Sequence, residues 1–166
     1  MSSSVKAATI ALNSSRMKFS SGHFTIFGCD SRERLHGHNF AVECVIEASV
    51  CSDDIFLDYG IFKKEIARLC DFLDERLLLP MHSPWLQIEK SDRQVRCFFN
   101  EEEMVFPEQD VRILPLGNIT IEALSSWFLE RLQHETDLLD FPCISSVDIK
   151  VSSSASQQGS VRWSRH

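Results

Sequence analysis

The clearest feature of the hydrophobic pattern is a strict alternation along Asn39–Ala48. Every second side chain in this segment is apolar, whereas Asn39, Glu43 and Glu47 occupy the other parity. Because successive side chains of a strand point to opposite faces, this pattern predicts a strand with one face in the core. Lys6–Ser20 is predicted to form an earlier strand, with a helix as the alternative. The apolar positions of the alternating segment are Phe40, Val42, Cys44, Ile46 and Ala48.

Two later segments show the spacing of amphipathic helices. The first follows a turn at Asp58–Gly60 and is closed by Pro80 and Pro84, which a helix does not accommodate in its interior. Its apolar positions are Phe62, Ile66, Leu69, Leu73 and Leu77. The second begins where either Asn118 or Thr120 can serve as the N-cap. Its apolar stripe consists of Ile121, Leu124, Phe128 and Leu132.

Short strands are predicted for much of the remaining chain. Gln94–Asn100 and Met104–Phe106 resemble a hairpin, and a last strand follows Pro142. One face of that last strand is Val147, Ile149 and Val151. Strands and helices do not alternate strictly, which indicates an α+β fold, an antiparallel β-sheet with two helices on one face. We interpret residues 1–166 as a single domain with an inserted hairpin excursion at about residues 80–115.

Composition limits the classes of function. The 166 residues are 43% hydrophobic and 25% charged, as is usual for a globular domain. A net charge of -7 argues against nucleic acid or an anionic membrane as partner, although a local arginine cluster could still oppose a small anion. Met1–Val5 has no apolar signal core, and no apolar run approaches the roughly 20 residues of a membrane span. The six cysteines contain no C-x-x-C pair and are interpreted as reduced thiols of a cytoplasmic protein.

Three histidines form the sharpest chemical motif. His36 and His38 flank one glycine, so in a strand both imidazoles project from the face that carries Phe40. Such a pair alone is more often an ordinary polar feature near a turn, but His23, at the end of the preceding strand segment, favours a metal site. Three neutral imidazoles leave one coordination position of zinc open, which is typical of a catalytic zinc rather than a structural one. The other histidines, interpreted as surface or satisfied side chains, are His82, His134 and His166.

The segments around these histidines resemble the family of 6-pyruvoyl-tetrahydropterin synthase and 6-carboxytetrahydropterin synthase. That family carries Phe-Ser-x-x-His followed by His-Gly-His-Asn-aromatic, and the corresponding segments are Phe19–His23 and His36–Phe40. In the family these three histidines bind Zn²⁺. Less specific matches at Leu57–Gly60, Leu73–Leu77 and Asn118–Glu122 extend the resemblance over nearly the whole chain.

The resemblance implies a fold, an assembly and a reaction. The fold would be the tunnelling fold, in which the sheet continues around a ring of subunits and the sites lie at subunit interfaces. The protein would then be a homo-oligomer, a ring of trimers or a tetramer. The substrate would be 7,8-dihydroneopterin triphosphate or a close reduced pterin, and the enzyme a zinc-dependent carbon–oxygen or carbon–carbon lyase. Zinc would hold the side-chain hydroxyls and lower their pKa.

The catalytic base is the first point at which the chain departs from the family pattern. Much of the family carries a cysteine a few residues before His-Gly-His, whereas Cys29 precedes His36 by a longer gap. Glu33 lies at the spacing where some members carry a glutamate instead, and those members are linked to the formation of 6-hydroxymethyl-dihydropterin. A carboxylate beside a dication and two arginines would stay ionised and act as the base. The alternatives are a solvated loop charge for Glu33 and a small hydrophobic side chain for Cys29.

A second departure concerns proton transfer. The family's Asp-His pair is represented by Asp74 and Glu75, so the acid–base histidine is missing. Asp74 would remain as an orienting carboxylate and Glu75 would carry the proton, with His82 as a remoter substitute. The alternative is that both carboxylates lie on the exposed end of the first helix.

The third departure concerns the pterin ring. Glu122, near Thr120 at the start of the second helix, matches one pterin-anchoring glutamate, and its alternative is a charge that favours the helix dipole. The family's second glutamate, after the last strand, is absent from Val151–Ser154. Two further functions therefore stay open, a zinc-loaded pterin-binding protein without turnover and a purely structural zinc protein.

Overall fold

The computed structural model describes residues 7–49 and 57–165, and in these ranges the chain forms two sheets and two helices. Lys6 and Cys51, which our predictions included, lie outside the described residues. The strands are β1 Ala7–Leu12, β2 Lys18–His23, β3 His36–Ser49, β4 Arg76–Pro80, β5 Gln87–Ser91, β6 Gln94–Phe99, β7 Glu102–Pro107, β8 Val111–Leu114, β9 Ile144–Ser154 and β10 Gln157–Ser164. The helices are α1 Gly60–Leu73 and α2 Ile121–Glu135, with 3-10 turns at Glu108–Asp110 and Leu138–Asp140.

The larger sheet is built around the long strand β3. Its strand order is β10-β9-β3-β2-β4-β8, and β1 also pairs with β3. β3 is antiparallel to β9, β1 and β2, but β4 runs parallel to both β2 and β8. The predicted α+β fold is therefore confirmed, and its sheet is mostly antiparallel, with two parallel strand pairs that the sequence did not predict. The parallel pairs arise because the chain returns through α1 before β4 and through the smaller sheet before β8.

The first predicted strand is in fact two strands. β1 pairs with the second half of β3 and β2 with its first half. Between them the chain turns, and the Met17 N–H donates to the Ser14 carbonyl oxygen at 3.1 Å. Polar residues such as Asn13 and Ser14 favour this turn because their short side chains hydrogen-bond nearby backbone groups.

The first helix ends at Leu73, four residues earlier than its apolar spacing predicted. Asp74 is extended and Glu75 adopts a positive φ of 53°, so the chain leaves the helix and enters β4. Two contacts to Ser20 hold this reversal: its N–H donates to the Asp74 carboxylate, and its carbonyl accepts from the Glu75 N–H, both at 2.7 Å. Leu77 is therefore a buried strand residue and not the last position of a helical stripe.

Two hydrophobic cores organise the described residues. In the larger core, the apolar face of β3 packs with both helices, so the prediction that the helices share one face is confirmed. The smaller core lies beneath the sheet β5-β6-β7, whose first strand the sequence reading missed because it is mostly polar and exposed. Our division of the chain into one domain with an insertion stays a prediction. Within the described ranges, neither helix is long and apolar enough to cross a membrane.

β10, another strand that the sequence did not predict, passes very close to the start of α2. A Cβ atom added at Gly159 would lie 2.8 Å from the Glu122 nitrogen and 2.9 Å from the Ile121 carbonyl carbon. The buried Ser125 hydroxyl also lies 3.0 Å from the Gly159 carbonyl oxygen. Only glycine permits this approach of two backbones.

Replacing Gly159 with alanine is expected to lower the free energy of unfolding by about 1–3 kcal/mol, because backbone must move to admit the methyl group. Urea unfolding followed by circular dichroism measures the change. Gly117→Ala is the matched control, since a Cβ at Gly117 meets nothing within 4 Å. Its expected change is below about 0.5 kcal/mol. Equal losses in the two variants would contradict the packing argument.

Candidate metal centre and its cavity

Strand pairing brings three imidazoles together on one face of the sheet. β2 ends at His23 and β3 begins at His36, and these two residues are paired across the strands, as are Ser21 and His38. Side chains alternate along each strand, so the three rings project to the same side. Their centroids are 4.6 Å apart for His23 and His36, 5.2 Å for His23 and His38, and 4.9 Å for His36 and His38. The predicted convergence of the three histidines is therefore confirmed.

Backbone carbonyl groups fix the protonation pattern of two of these rings. His23 Nδ1 lies 3.1 Å from the Ile119 carbonyl oxygen and His36 Nδ1 lies 2.7 Å from the Arg34 carbonyl oxygen. A carbonyl only accepts, so each Nδ1 carries a hydrogen, which leaves Nε2 as the nitrogen of each ring that a metal ion could bind. Burial lowers the pKa of His23 and outweighs the opposing effect of its hydrogen bond to Ile119. His23 therefore stays neutral, as a metal ligand must.

The ring nitrogens suit a single tetrahedral ion. His23 Nε2 is buried and has no hydrogen-bond partner in the described part of the chain. His36 Nε2 and His38 Nε2 are 3.1 Å apart, and two zinc ligands at tetrahedral geometry are about 3.3 Å apart. The donor atoms of all three residues lie within 4.8 Å of one another. The three histidines could thus hold one metal ion.

Asn118, which the sequence suggested only as a helix cap, orders the surroundings of the metal ligands. Its side-chain oxygen accepts from the Ile26 and Ile119 N–H groups at 3.1 and 3.0 Å, and its amide nitrogen donates to the Ile26 carbonyl at 2.8 Å. These bonds hold the Ile119 carbonyl beside His23. The cap is Thr120, whose hydroxyl accepts from the Ala123 N–H at 3.2 Å. No local sequence signal distinguishes an Asn that joins two segments from one that caps a helix.

Glu33 lies beside the three histidines. Its carboxylate is 3.9 Å from His36 Nε2 and accepts a hydrogen bond of 3.0 Å from the Thr25 N–H. Partial burial opposes ionisation of Glu33, but the hydrogen bonds from Thr25 outweigh it and lower the pKa of Glu33. The two flanking arginines, which the sequence analysis expected to keep Glu33 ionised, do not cause this lowering of its pKa. Arg32 binds the Glu33 carbonyl oxygen and the Glu102 carboxylate instead.

A cavity of about 140 Å³ joins the histidines to the start of α2 and the turn between β9 and β10. Thr120 and Glu122 line it, so the structure brings both predicted pterin-binding residues to the histidines. Near the position where the sequence resemblance led us to expect a second glutamate, Ser153 and Gln157 line the cavity, and the Ser153 hydroxyl donates to the Gln157 side-chain oxygen at 3.2 Å.

Cys29 occupies a different position from Glu33. It is exposed at the turn of the β2–β3 loop and is not among the residues that line the 140 Å³ cavity. Three other thiols, Cys44, Cys70 and Cys97, are buried in the cores. Burial raises the pKa of Cys44 and Cys70 to about 12 and that of Cys97 to about 11, so these thiols stay protonated.

Within one chain, neither Asp74 nor Glu75 lines the 140 Å³ cavity beside the three imidazoles. Asp74 binds the N–H of Ser20, whose side chain bonds Asn39 on the sheet face opposite the three rings. Glu75 lines a second cavity of about 580 Å³, together with Ser20, Asn39 and two of the histidines, His36 and His38. His82 is exposed and lines neither cavity.

The fold and the three imidazoles define a class of protein, an α+β protein with three histidines on two paired strands that could hold one metal ion. A model of the 6-pyruvoyl tetrahydropterin synthase family matches residues 13–158. The chain therefore belongs to the 6-pyruvoyl tetrahydropterin synthase family, and the predicted resemblance is confirmed.

Individual relatives agree with this assignment. A Methanocaldococcus jannaschii protein, provisionally named 6-carboxy-5,6,7,8-tetrahydropterin synthase, is 28% identical over 142 residues, which cover 85% of this chain and 86% of that protein. The structure of Plasmodium falciparum 6-pyruvoyl tetrahydropterin synthase superposes with a TM-score of 0.89 at 29% identity, over 96% of this chain and 99% of the other. A Plasmodium vivax 6-pyruvoyltetrahydropterin synthase in which a catalytic glutamate is replaced by alanine gives 0.90 at 27% identity, with the same coverage. The tunnelling fold is thereby confirmed.

Proposed function

We propose that this protein is a zinc-dependent lyase that cleaves the side chain of 7,8-dihydroneopterin triphosphate, or of a close reduced pterin, to give 6-hydroxymethyl-dihydropterin. The observation that carries the proposal is the carboxylate of Glu33, which lies 3.9 Å from His36 Nε2 in the cavity that Glu122 also lines. A catalytic glutamate in the Plasmodium vivax relative supports this choice of base.

His23, His36 and His38 would hold the zinc ion and leave one position open. Bound zinc supplies a Lewis acid that lowers the pKa of substrate hydroxyl groups. The protein's own contribution is to fix the rings, since the Ile119 and Arg34 carbonyls orient His23 and His36 before any ion binds. Preorganised ligands of this kind reduce the reorganisation that the reaction requires.

Residues on the other side of the cavity would orient the pterin ring. The Glu122 carboxylate can accept two parallel N–H bonds from the ring's amino group and ring nitrogen. Thr120 fixes the start of the helix that carries it. Ser153 and Gln157, in place of a second glutamate, would offer neutral polar groups to the same ring.

The proposed step transfers the proton of the side-chain 2′-hydroxyl to the ionised Glu33. The bond between C1′ and C2′ then breaks, and C2′ becomes the aldehyde carbon of a two-carbon triphosphate fragment. The electron pair remains on C1′, where the conjugated ring stabilises it. Protonation of C1′ completes 6-hydroxymethyl-dihydropterin and restores Glu33, and no oxidant or reductant is required. The lowered pKa of Glu33 keeps the base ionised at neutral pH.

We further propose that the working protein is a homo-oligomeric ring. The 140 Å³ cavity of one chain is smaller than the roughly 300–1,000 Å³ of ordinary small-molecule sites. Asp74 lies on the sheet face opposite the three rings and Glu75 lines the 580 Å³ cavity, so both carboxylates would join a 140 Å³ cavity only from another copy. In that arrangement Asp74 would orient and Glu75 would carry a proton in place of the missing histidine.

The test is a product analysis with zinc-loaded protein and 7,8-dihydroneopterin triphosphate. Fluorescence-detected chromatography is expected to show 6-hydroxymethyl-dihydropterin, and phosphorus NMR an equal amount of triphosphorylated aldehyde. His36→Ala is the control. Calorimetric binding of the substrate without product would favour the zinc-loaded pterin-binding protein. If the protein shows no binding and no product above the control, both the proposed lyase and the zinc-loaded pterin-binding protein are contradicted.

A further inference from the structure

The segment that carries Glu33 is a small hairpin closed by its own backbone. Ile26 and Arg32 form an isolated antiparallel bridge, and the Phe27 N–H donates to the Ser31 carbonyl at 2.8 Å. At the base of this hairpin the Glu33 N–H donates to the Thr25 carbonyl at 2.8 Å. The Thr25 N–H in turn donates to the Glu33 carboxylate. The position of the carboxylate therefore depends on how this hairpin is held against the rest of the protein.

The side chain of Arg32 joins this hairpin to the sheet β5-β6-β7. Its guanidinium donates from Nε to the Glu102 carboxylate of β7 at 3.0 Å, and a second nitrogen contacts the same oxygen. The remaining terminal nitrogen donates to the Glu33 carbonyl oxygen at 2.9 Å. One cation thus bonds the backbone of Glu33 and the smaller sheet at the same time.

Two aromatic rings enclose the same guanidinium. Its central carbon lies 5.1 Å from the centroid of Phe24 and 5.6 Å from that of Phe99. Both rings belong to the smaller core, and only 16% of the Arg32 side chain is exposed. A planar guanidinium can stack on rings while its edge donates in a fixed geometry, which the ammonium group of lysine cannot reproduce.

A neighbouring cavity could suggest that Arg32 binds the phosphates of the substrate, but the charges around this cavity argue against that role. It measures about 460 Å³ and includes Arg32 and Arg34, but four carboxylates also line it. Those carboxylates are Asp30, Glu33, Glu101 and Glu102. With two cations against four anions and Arg32 already bonded, the cavity does not suit the phosphates of the substrate.

We propose that Arg32 is a positioning residue for Glu33, and that the sheet β5-β6-β7 serves as the support through which it acts. The proposal rests on the proposed function, because it takes Glu33 as the base. Arg32 holds the Glu33 backbone so that the carboxylate faces the three histidines. A misplacement of about 1 Å in a catalytic group costs about 10²-fold in rate, so the support is expected to affect turnover strongly.

The experiment compares Arg32→Ala with Arg96→Ala in the zinc-loaded protein. Arg96 is the matched control, because it pairs with Glu103 on the same sheet and lies over the Phe98 ring, 5.4 Å from its centroid, yet it contacts neither the hairpin nor Glu33. Arg32→Ala is expected to lower kcat about 10²-fold with KM changed less than about threefold. Arg96→Ala is expected to leave both within about twofold.

A second readout requires no substrate. Amide hydrogen exchange at Glu33 and Thr25 reports the hairpin base directly, and Arg32→Ala is expected to accelerate it at least about tenfold, with the core amide of Leu124 unchanged. Glu102→Gln keeps Arg32 between its rings and removes its charged partner, so it tests the same contact if Arg32→Ala does not fold. Its expected acceleration is smaller but in the same direction.

The outcomes separate the two proposals. Unchanged amide hydrogen exchange at Glu33 and Thr25 in both Arg32→Ala and Glu102→Gln would overturn the positioning role of Arg32, whatever the activity of these variants. Equal loss of kcat in Arg32→Ala and Arg96→Ala would also overturn it, since a general loss of stability would then be the cause. If the wild-type protein forms no product, the proposed reaction fails, whereas accelerated exchange would still establish that Arg32 holds Glu33.

Discussion

Replacing His36 with alanine is expected to reduce bound zinc from one ion per chain to nearly none and to lower product formation by at least about 10³-fold. His36 Nε2 lies 3.1 Å from His38 Nε2, so its loss removes one of the two closest donors. A bound metal contributes several kcal/mol of charge stabilisation in the transition state, and each 1.36 kcal/mol corresponds to a factor of ten in rate. Elemental analysis of dialysed protein and the product assay measure the two effects.

His82→Ala is the control for this prediction. His82 is exposed and lines neither cavity, so its replacement removes an imidazole without touching the site. Zinc content and rate are expected to match the wild-type protein. A wild-type protein without zinc, or a His36→Ala protein that keeps its full zinc content, would contradict the assignment of the three histidines as ligands.

The convergence of the three histidines was predictable because two of them lie on the most regular part of the chain. The alternation that begins at Phe40 extends back through His38 and His36, and all of its predicted inward positions are buried. Register within a strand follows from parity alone, so a local pattern sufficed to place two of the rings. To place His23 as well, it was sufficient to assume that its strand pairs with β3. Short connections between neighbouring strands favour such pairing.

The errors fall where distant contacts decide the local structure. The apolar spacing from Phe62 continues through Leu77, but two hydrogen bonds end the helix at Leu73: Ser20 donates to the Asp74 carboxylate and accepts from the Glu75 N–H. The same reversal leaves both carboxylates outside the 140 Å³ cavity of their own chain. A sequence pattern reports neighbours along the chain and carries no record of a partner 54 positions away.

The residues that hold the site in place were missed for a related reason. Asn118 joins the segment after His23 to the start of α2, and Thr25 supplies the N–H that binds Glu33. The backbone N–H of Thr25 is a donor that nearly every residue type would provide. Roles of this kind depend on three-dimensional position rather than on side-chain chemistry, so only the folded structure reveals them.

Replacing Glu33 with glutamine is expected to lower kcat by about 10²–10⁴-fold while zinc content stays at the wild-type level. Glutamine has the same shape and can still accept the Thr25 N–H bond of 3.0 Å, so the hairpin should keep its conformation. Its amide cannot take a proton from the substrate at neutral pH. Steady-state kinetics and elemental analysis of the same preparation test both parts of the prediction.

Cys29→Ser decides between the two bases that the sequence suggested. Cys29 is exposed and does not line the 140 Å³ cavity, so its replacement is expected to change kcat less than about twofold. A large loss of kcat in Cys29→Ser together with an active Glu33→Gln protein would assign the base to the thiol instead.

Glu33→Asp adds a graded test, because it retains the carboxylate but shortens its reach by one methylene. Its kcat should lie between those of the wild-type and Glu33→Gln proteins if proton transfer depends on the distance from Glu33 to the substrate hydroxyl.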